Sequence, residues 1–199
     1  MAADFVYLAS GSPRRRELLL QIGVAFRVVR PQVEETPIAG ESAHAYVSRL
    51  AAAKAEAGWP LRATPDAPLL AADTAVVLDG DILGKPGDRR DAESMLRRLS
   101  GRSHEVLTAV ALKTGTRLAT RLSRSQVTFR AVSAAEIRAY WDTGEPGDKA
   151  GGYAVQGMAA LFIAHLEGSF SGVMGLPLFE TAELLRESGV GNWGLTPGA

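Results

Sequence analysis

The chain has 199 residues, 46% of them hydrophobic, and its 22 Lys and Arg balance 22 Asp and Glu to a formal net charge of zero. That is enough apolar content for a packed core, and too even a balance for a non-specific nucleic-acid binder, which needs a basic excess. With no cysteine there is no disulfide framework, no thiolate nucleophile and no sulfur-held metal. The first residues lack a charged leader and no apolar run approaches about 18 residues, so a soluble, unprocessed cytoplasmic protein is expected, with neither membrane nor nucleic acid as partner.

The first predicted unit lies in "YLASGSPRRRELL", residues Tyr7 to Leu19. An apolar strand turns through Ser-Gly-Ser-Pro into a helix with Ser12 as N-cap, Pro13 at the first position, and Leu18, Leu19 and Ile22 as an apolar face ended by Gly23. Three arginines crowd its first turn, where the helix dipole disfavours cations. They form either a solvated basic turn or, with the free backbone N–H groups, an anion site suited to polyphosphate. A second strand is expected at "AFRVVR", followed by a polar loop carrying Glu34 and Glu35.

A helix opens at Ser42 and runs to about Ala57, closed by Gly58, with an apolar stripe of Ala43, Val47, Leu50 and Ala51. Lys54 falls inside that stripe: either its stem packs while its head reaches water, or its charge is aimed into a cleft. After a Pro-rich linker, "LLAADTAVVLDGDILGKP" predicts a β-hairpin turning at Asp79-Gly80. Asp73 interrupts the apolar strand and must be hydrogen-bonded, paired, metal-bound or shifted in pKa. A regular ladder continued from the turn would pair Thr74 with Lys85, putting Asp73 and Lys85 on opposite faces unless Gly84 makes a bulge.

A helix follows from about Asp88 to Leu99, then strands at "EVLTAVALKT" and "RLATRLSRSQVTFRAV", the second polar at alternate positions and half exposed. Ser133 and Glu136 form a capping box for a helix to Asp142. Short strands are expected at "YAV" and "ALFIAHL", and Pro177 begins a last helix. Alternating strands and helices define an α/β fold with a mixed sheet, one domain over residues 1–190, and a disordered tail over 191–199.

No Gly-rich stretch ends in Gly-Lys-Ser/Thr, and no G-x-G-x-x-G opens a helix after a strand. A serine nucleophile would need a positioned base, but His44, His104 and His165 sit in unremarkable contexts, and none has metal-ligand spacing with another. There remain the arginines, the isolated cations Lys54, Lys85 and Lys149, and the carboxylates Glu34, Glu35, Asp73 and Asp148. Such a set suits a hard metal and a phosphoryl or nucleotidyl substrate, although two adjacent loop acids are usually just solvated.

In this order and spacing, "LASGSPRRRELL", "AADTAVVLDGDILGKP", "DKAGGYAVQG" and "GLPLFET" resemble the Maf family of nucleoside triphosphate pyrophosphatases, over Tyr7 to Leu185. The resemblance implies an elongated mixed-sheet fold with two lobes around a cleft, like inosine triphosphatase. It implies a divalent metal (Mg or Mn), a possible homodimer, and hydrolysis of a nucleoside triphosphate to monophosphate and pyrophosphate. It makes Ser10, Arg14 and Arg15 a phosphate cradle, Lys54 and Lys85 catalytic cations, Glu35 a metal-associated acid and Asp73 the general base. Arg16 has no counterpart, and a helix turns it about 100° from Arg15, toward water. Thr74 in Ala-Asp-Thr, and Gln156 before Gly157, resemble the branch acting on dTTP and UTP rather than the one preferring 7-methyl-GTP. A Gln amide offers a donor and an acceptor side by side, complementing O4 and N3–H of uracil or thymine. The alternative implied is a nucleotide-binding regulator of septum formation whose hydrolysis is incidental.

Overall fold

The structure, a computed structural model, describes residues 4–189; the expected tail lies outside them. The elements in chain order are β1 (Val6–Ala9), α1 (Pro13–Gln21), β2 (Phe26–Val29), α2 (Ala43–Gly58), β3 (Leu69–Leu78), β4 (Asp81–Leu83), α3 (Arg89–Leu99), β5 (Ser103–Thr114), β6 (Arg117–Phe129), α4 (Ala134–Asp142), β7 (Ile163–Glu167), α5 (Phe170–Met174) and α6 (Leu178–Glu187). The fold is the expected mixed α/β class.

All seven strands form one sheet of order β2-β1-β3-β5-β6-β7, with β4 added to β3. β2, β1 and β3 run parallel, while β3, β5, β6 and β7 are antiparallel neighbours. From β1 the chain steps outward through α1 to β2, then back through α2 to β3. Right-handed crossovers in opposite directions put α1 and α2 on opposite faces of the sheet. The side chains follow: Tyr7, Leu69, Ala71, Ala75, Val77 and Ala109 pack with Val47, Ala51 and Ala55 of α2. The alternate residues Leu8, Leu70, Ala72 and Val110 pack with Leu18 and Leu19 of α1 and Leu184 and Leu185 of α6.

The face bearing α1 holds two separate cores. The second gathers Val76, Leu78, Val106 and Phe129 under Leu96 and Leu99 of α3 and Ile137 and Tyr140 of α4. Between them the sheet is polar: Thr74, Thr108 and Ser123 sit in register across β3, β5 and β6. The short helix α5 lies over this row, its Gly172 carbonyl accepting the Thr108 hydroxyl at 2.8 Å. The half exposure expected of β6 is present, but Ser123 and Ser125 are buried in this contact, while their neighbours Arg124 and Gln126 on the other face are exposed.

Local start signals act as expected at α2, α3 and α4, whereas Ser12 takes the N-cap position of α1 without a capping side-chain bond. Ser42 and Asp88 cap α2 and α3 through the N–H groups of Ala45 and Asp91, and Ser133 with Glu136 completes a capping box on α4. Asp79 (φ 54°) and Gly80 (φ 88°) make the two-residue hairpin turn.

Four expectations are corrected. The β3–β4 ladder ends at Val76–Leu83, so Thr74 pairs with Thr108 of β5 rather than with Lys85. Gly58 does not close α2 by turning the chain; it is the last helical residue, and a Cβ there would lie 3.0 Å from Leu69 and 3.2 Å from Ala9. "YAV" is no strand, because Gly151 and Gly152 have φ 68° and 70° and the chain turns again after Tyr153. In "ALFIAHL" only the part from Ile163 is strand, following a 3-10 turn at Met158–Leu161.

Candidate active site

Along one edge of β3, β1 pairs with Leu69 and Leu70, and β4 pairs with Val76 to Leu78. Among the described residues no strand pairs with 71–75 on that edge, and Asp73 and Thr74 lie in the interval. Successive strand residues point to opposite faces. Asp73 therefore meets α2 while Thr74 meets α1 and α5, and the open edge lets one ligand reach both. A cavity of about 800 Å³ opens there, and Ser10, Arg14, Arg15, Glu35, Lys54, Asp73, Thr74, Lys85 and Gln156, the residues singled out in the sequence, all line it.

On the α2 face, Lys54 Nζ donates to Asp73 Oδ1 at 2.6 Å and forms an ion pair with Glu35 Oε1, also at 2.6 Å. Its side chain is only 14% exposed, so the charge is aimed into the cleft and not into open water. Burial pushes the Asp73 carboxyl above the ordinary value of 3.8, and the charge and hydrogen bond of Lys54, then Arg15, hold it back only in part. For Glu35 the balance reverses: burial pushes up, but the Lys54 hydrogen bond and the charges of Lys54, Lys85 and Arg15 leave it below the usual carboxylate value. Two neighbouring acids are thus driven apart in proton affinity, a pattern associated with divided roles.

On the opposite face Arg15 is locked in place. Its Nε donates to the Gly175 carbonyl at 2.7 Å, and its terminal nitrogens donate to Ser10 Oγ at 3.2 Å and Thr74 Oγ1 at 3.4 Å. Ser10 Oγ also accepts the N–H of Ser12 at 3.1 Å, which ties the loop after β1 to the start of α1. Thr74 and Thr108 hydroxyls lie 3.0 Å apart. Because the Gly172 carbonyl can only accept, the single Thr108 proton goes there, leaving Thr74 as donor in the pair. Arg15, Thr74, Thr108 and α5 thereby form one chain of hydrogen bonds.

Arg14 faces the same space and lies 3.5 Å from Asp148, a long contact that leaves its donors free for an anion. Lys85, just past β4, is exposed and unshared by any carboxylate among the described residues. Arg16 is half-buried and lines no part of the cavity. Two arginines of the basic turn thus serve the cleft and the third does not. Glu34 is turned away, accepting the N–H of Thr36 at 3.1 Å.

Sequence reasoning missed the residues that act through tertiary contact. Tyr46 donates its hydroxyl to the Glu35 carbonyl at 2.9 Å and so anchors the loop bearing that acid. Tyr153, one wall of the cavity, is held 2.8 Å from buried His104 Nε2. Neither has a local signal: Tyr46 lies on a helix face that also packs apolar residues, and Tyr153 meets His104 across 49 positions of the chain.

Among the described residues no three His, Asp, Glu or Cys side chains cluster as a metal site. Glu35 and Asp73 nevertheless converge on one ammonium. Two hard oxygen donors suit magnesium, which commonly uses one or two carboxylates and completes its shell with water and substrate phosphates.

The fold and the cavity define an α/β protein with a cation-lined cleft at an interrupted sheet edge. The chain matches the family model described as Maf-like protein over residues 5–188, and it belongs to that family. It is 56% identical to a dTTP/UTP pyrophosphatase of Methylococcus capsulatus, over 96% of this chain and 95% of that one. Proteins of the same description from Chromobacterium violaceum (52%, covering 92% and 94%) and Alkalilimnicola ehrlichii (56%, covering 92% of each) are also similar. A solved structure of the Staphylococcus aureus Ham1 protein aligns with a TM-score of 0.44 at 16% identity, over 65% of this chain and 72% of that one, too slight a likeness to support an argument. No helix of the described residues is long and apolar enough to cross a membrane.

Proposed function

We propose that the protein is a nucleoside triphosphate pyrophosphatase that hydrolyses dTTP and UTP to the monophosphate and pyrophosphate. The observation that carries this reading is the buried Asp73–Lys54 pair at the open edge of β3, faced by Arg14, Arg15 and Lys85. A buried carboxylate of raised pKa is a fit general base, and flanking cations match the charge that develops on a leaving pyrophosphate. The names of the relatives, together with Thr74 and Gln156, support the pyrimidine preference.

In this mechanism Asp73 takes a proton from water aimed at the α-phosphorus, in line with the departing pyrophosphate. Arg15, pre-set by Ser10, Thr74 and Gly175, binds the phosphates without further ordering, and Arg14 joins it by releasing its long contact with Asp148. Lys54 keeps Asp73 ionised and oriented. Gln156 presents its amide to the O4 and N3–H edge of the base. Glu35, with Asp73, would hold a divalent cation (Mg or Mn), whose chemistry when bound is to neutralise phosphate charge.

The test is product analysis. Incubated with magnesium or manganese, the protein is expected to convert UTP and dTTP to monophosphate and pyrophosphate, with little turnover of other common triphosphates or 7-methyl-GTP. Asp73→Asn should abolish turnover and keep nucleotide binding; an active Asp73→Asn enzyme would remove Asp73 from the base role.

A further inference from the structure

The corner that carries Gln156 is held by groups outside its own sequence. The N–H of Gly157 bonds the Ala154 carbonyl at 3.1 Å, closing a turn with Val155 and Gln156 at its corner. The 3-10 turn Met158–Leu161 follows without a side-chain cap of its own. Its acceptor comes from Glu145: Oε2 takes the N–H of Met158 at 3.0 Å, while Oε1 takes that of Ala159 at 3.5 Å and the Tyr140 hydroxyl at 2.6 Å. Tyr140 Oη in turn accepts the N–H of Ala154 at 3.2 Å. Both ends of the corner are thus tied to one hydroxyl–carboxylate pair.

The approach is close enough to dictate sequence: a Cβ on Gly157 would lie 2.2 Å from Glu145 Oε2. Tyr140 is 2% exposed, and neither it nor Glu145 lines the cavity. The other side of Glu145 faces the phosphate end, where its carbonyl accepts Lys149 Nζ at 2.6 Å. The Gln156 side chain makes no hydrogen bond to another described residue, so its position depends on this backbone.

We infer that Glu145, assisted by Tyr140, is a positioning residue that sets base selectivity by fixing the Gln156 corner; the inference rests on the pyrimidine triphosphate reading of the site. Uracil presents an acceptor at O4 and a donor at N3, whereas cytosine presents the reverse, and a Gln amide placed to bond both groups of uracil at once loses that advantage when the backbone beneath it shifts. Discrimination therefore needs a corner that does not move. Glu145→Gln replaces one acceptor oxygen by an NH2 group: facing the Met158 N–H it breaks that tie, and facing Tyr140 it can only donate, which leaves the tyrosine proton without its acceptor.

The experiment compares kcat/KM for UTP and CTP, inhibition by inorganic tripolyphosphate, and thermal midpoint, in the wild type, Glu145→Gln and Tyr140→Phe. Glu145→Gln is expected to lower kcat/KM for UTP about tenfold, chiefly through KM, and to lower the UTP-to-CTP ratio, with tripolyphosphate inhibition altered less than about twofold. Tyr140→Phe should move the ratio the same way. An unchanged ratio, or loss of tripolyphosphate inhibition in parallel with UTP, would overturn the inference, and if Glu145→Gln does not fold, Tyr140→Phe decides by the same ratio. A wild-type protein that hydrolyses no nucleotide would overturn the functional reading and this inference together.

Discussion

Lys54 holds two carboxylates at once, and the two respond to it differently because one is far more buried. The sign of a pH effect follows. The Asp73 pKa lies above 3.8, and a base must be ionised, so kcat/KM should fall on the acid side with a midpoint above that value. Lys54 opposes the burial, so in Lys54→Met the residual activity should titrate at still higher pH. That variant should also lose about 2–4 kcal/mol of transition-state stabilisation, as when other charge-stabilising donors are removed. A pH–rate profile of both proteins checks the two effects together, and an unmoved midpoint would show that Lys54 does not tune Asp73. Both residues were legible in the sequence for one reason: each is a charge in an apolar pattern where a solvated role is expensive. Glu145 and Tyr140 were not, because their contacts join segments that only the fold brings together.

At the scale of elements, helix starts were legible wherever a cap is local, as at Ser42, Asp88 and Ser133. Glycines were harder, because sequence does not distinguish one that turns the chain from one that lets two elements touch. Gly58 does the second, while Gly151 does both: its φ is 68° and a Cβ would meet both γ-carbons of Val76 at 3.0 Å. Its N–H also bonds the Gly84 carbonyl at 3.0 Å, joining the late glycine-rich segment to the stretch that ends in Lys85. Gly151→Ala should therefore destabilise the protein by about 1–3 kcal/mol, strain at positive φ adding to overpacking. Urea unfolding measures it; a neutral result would mean that Val76 gives way freely. The five-residue helix α5 was missed for a related reason: it is too short to show periodicity, and its position comes from the buried Thr and Ser row beneath it.

For the whole molecule, composition and alternation indicated one mixed sheet, and the neutral total concealed a local excess of cations in the cleft. The core behind the cleft adds a pH limit. His104 is 3% exposed, its ring in edge contact with Phe129 and Tyr153, and burial pulls its pKa from 6.5 to about 4. A folded pKa below the unfolded one means that the unfolded chain takes up the proton first. Stability is therefore full above about pH 6.5 and declines as pH falls toward 4, by about 1.4 kcal/mol per unit. Denaturant unfolding at pH 7.5 and 5 should differ by about 2 kcal/mol from this group alone, a difference that His104→Gln removes. An equal pH dependence in that variant would assign the loss to other groups.

Among the described residues the interval at 71–75 is an unpaired sheet edge, ordinarily an invitation to strand addition by a second chain. Here it is only about 16 Å long, and both of its ends are stopped by the protein's own strands, β1 on one side and β4 on the other. An intruding peptide would have to enter with both of its ends bent away, so the hydrogen-bonding power of a bare edge is kept in the middle of the molecule without the risk of polymerising through it. The sheet carries its opening where aggregation has no room to begin.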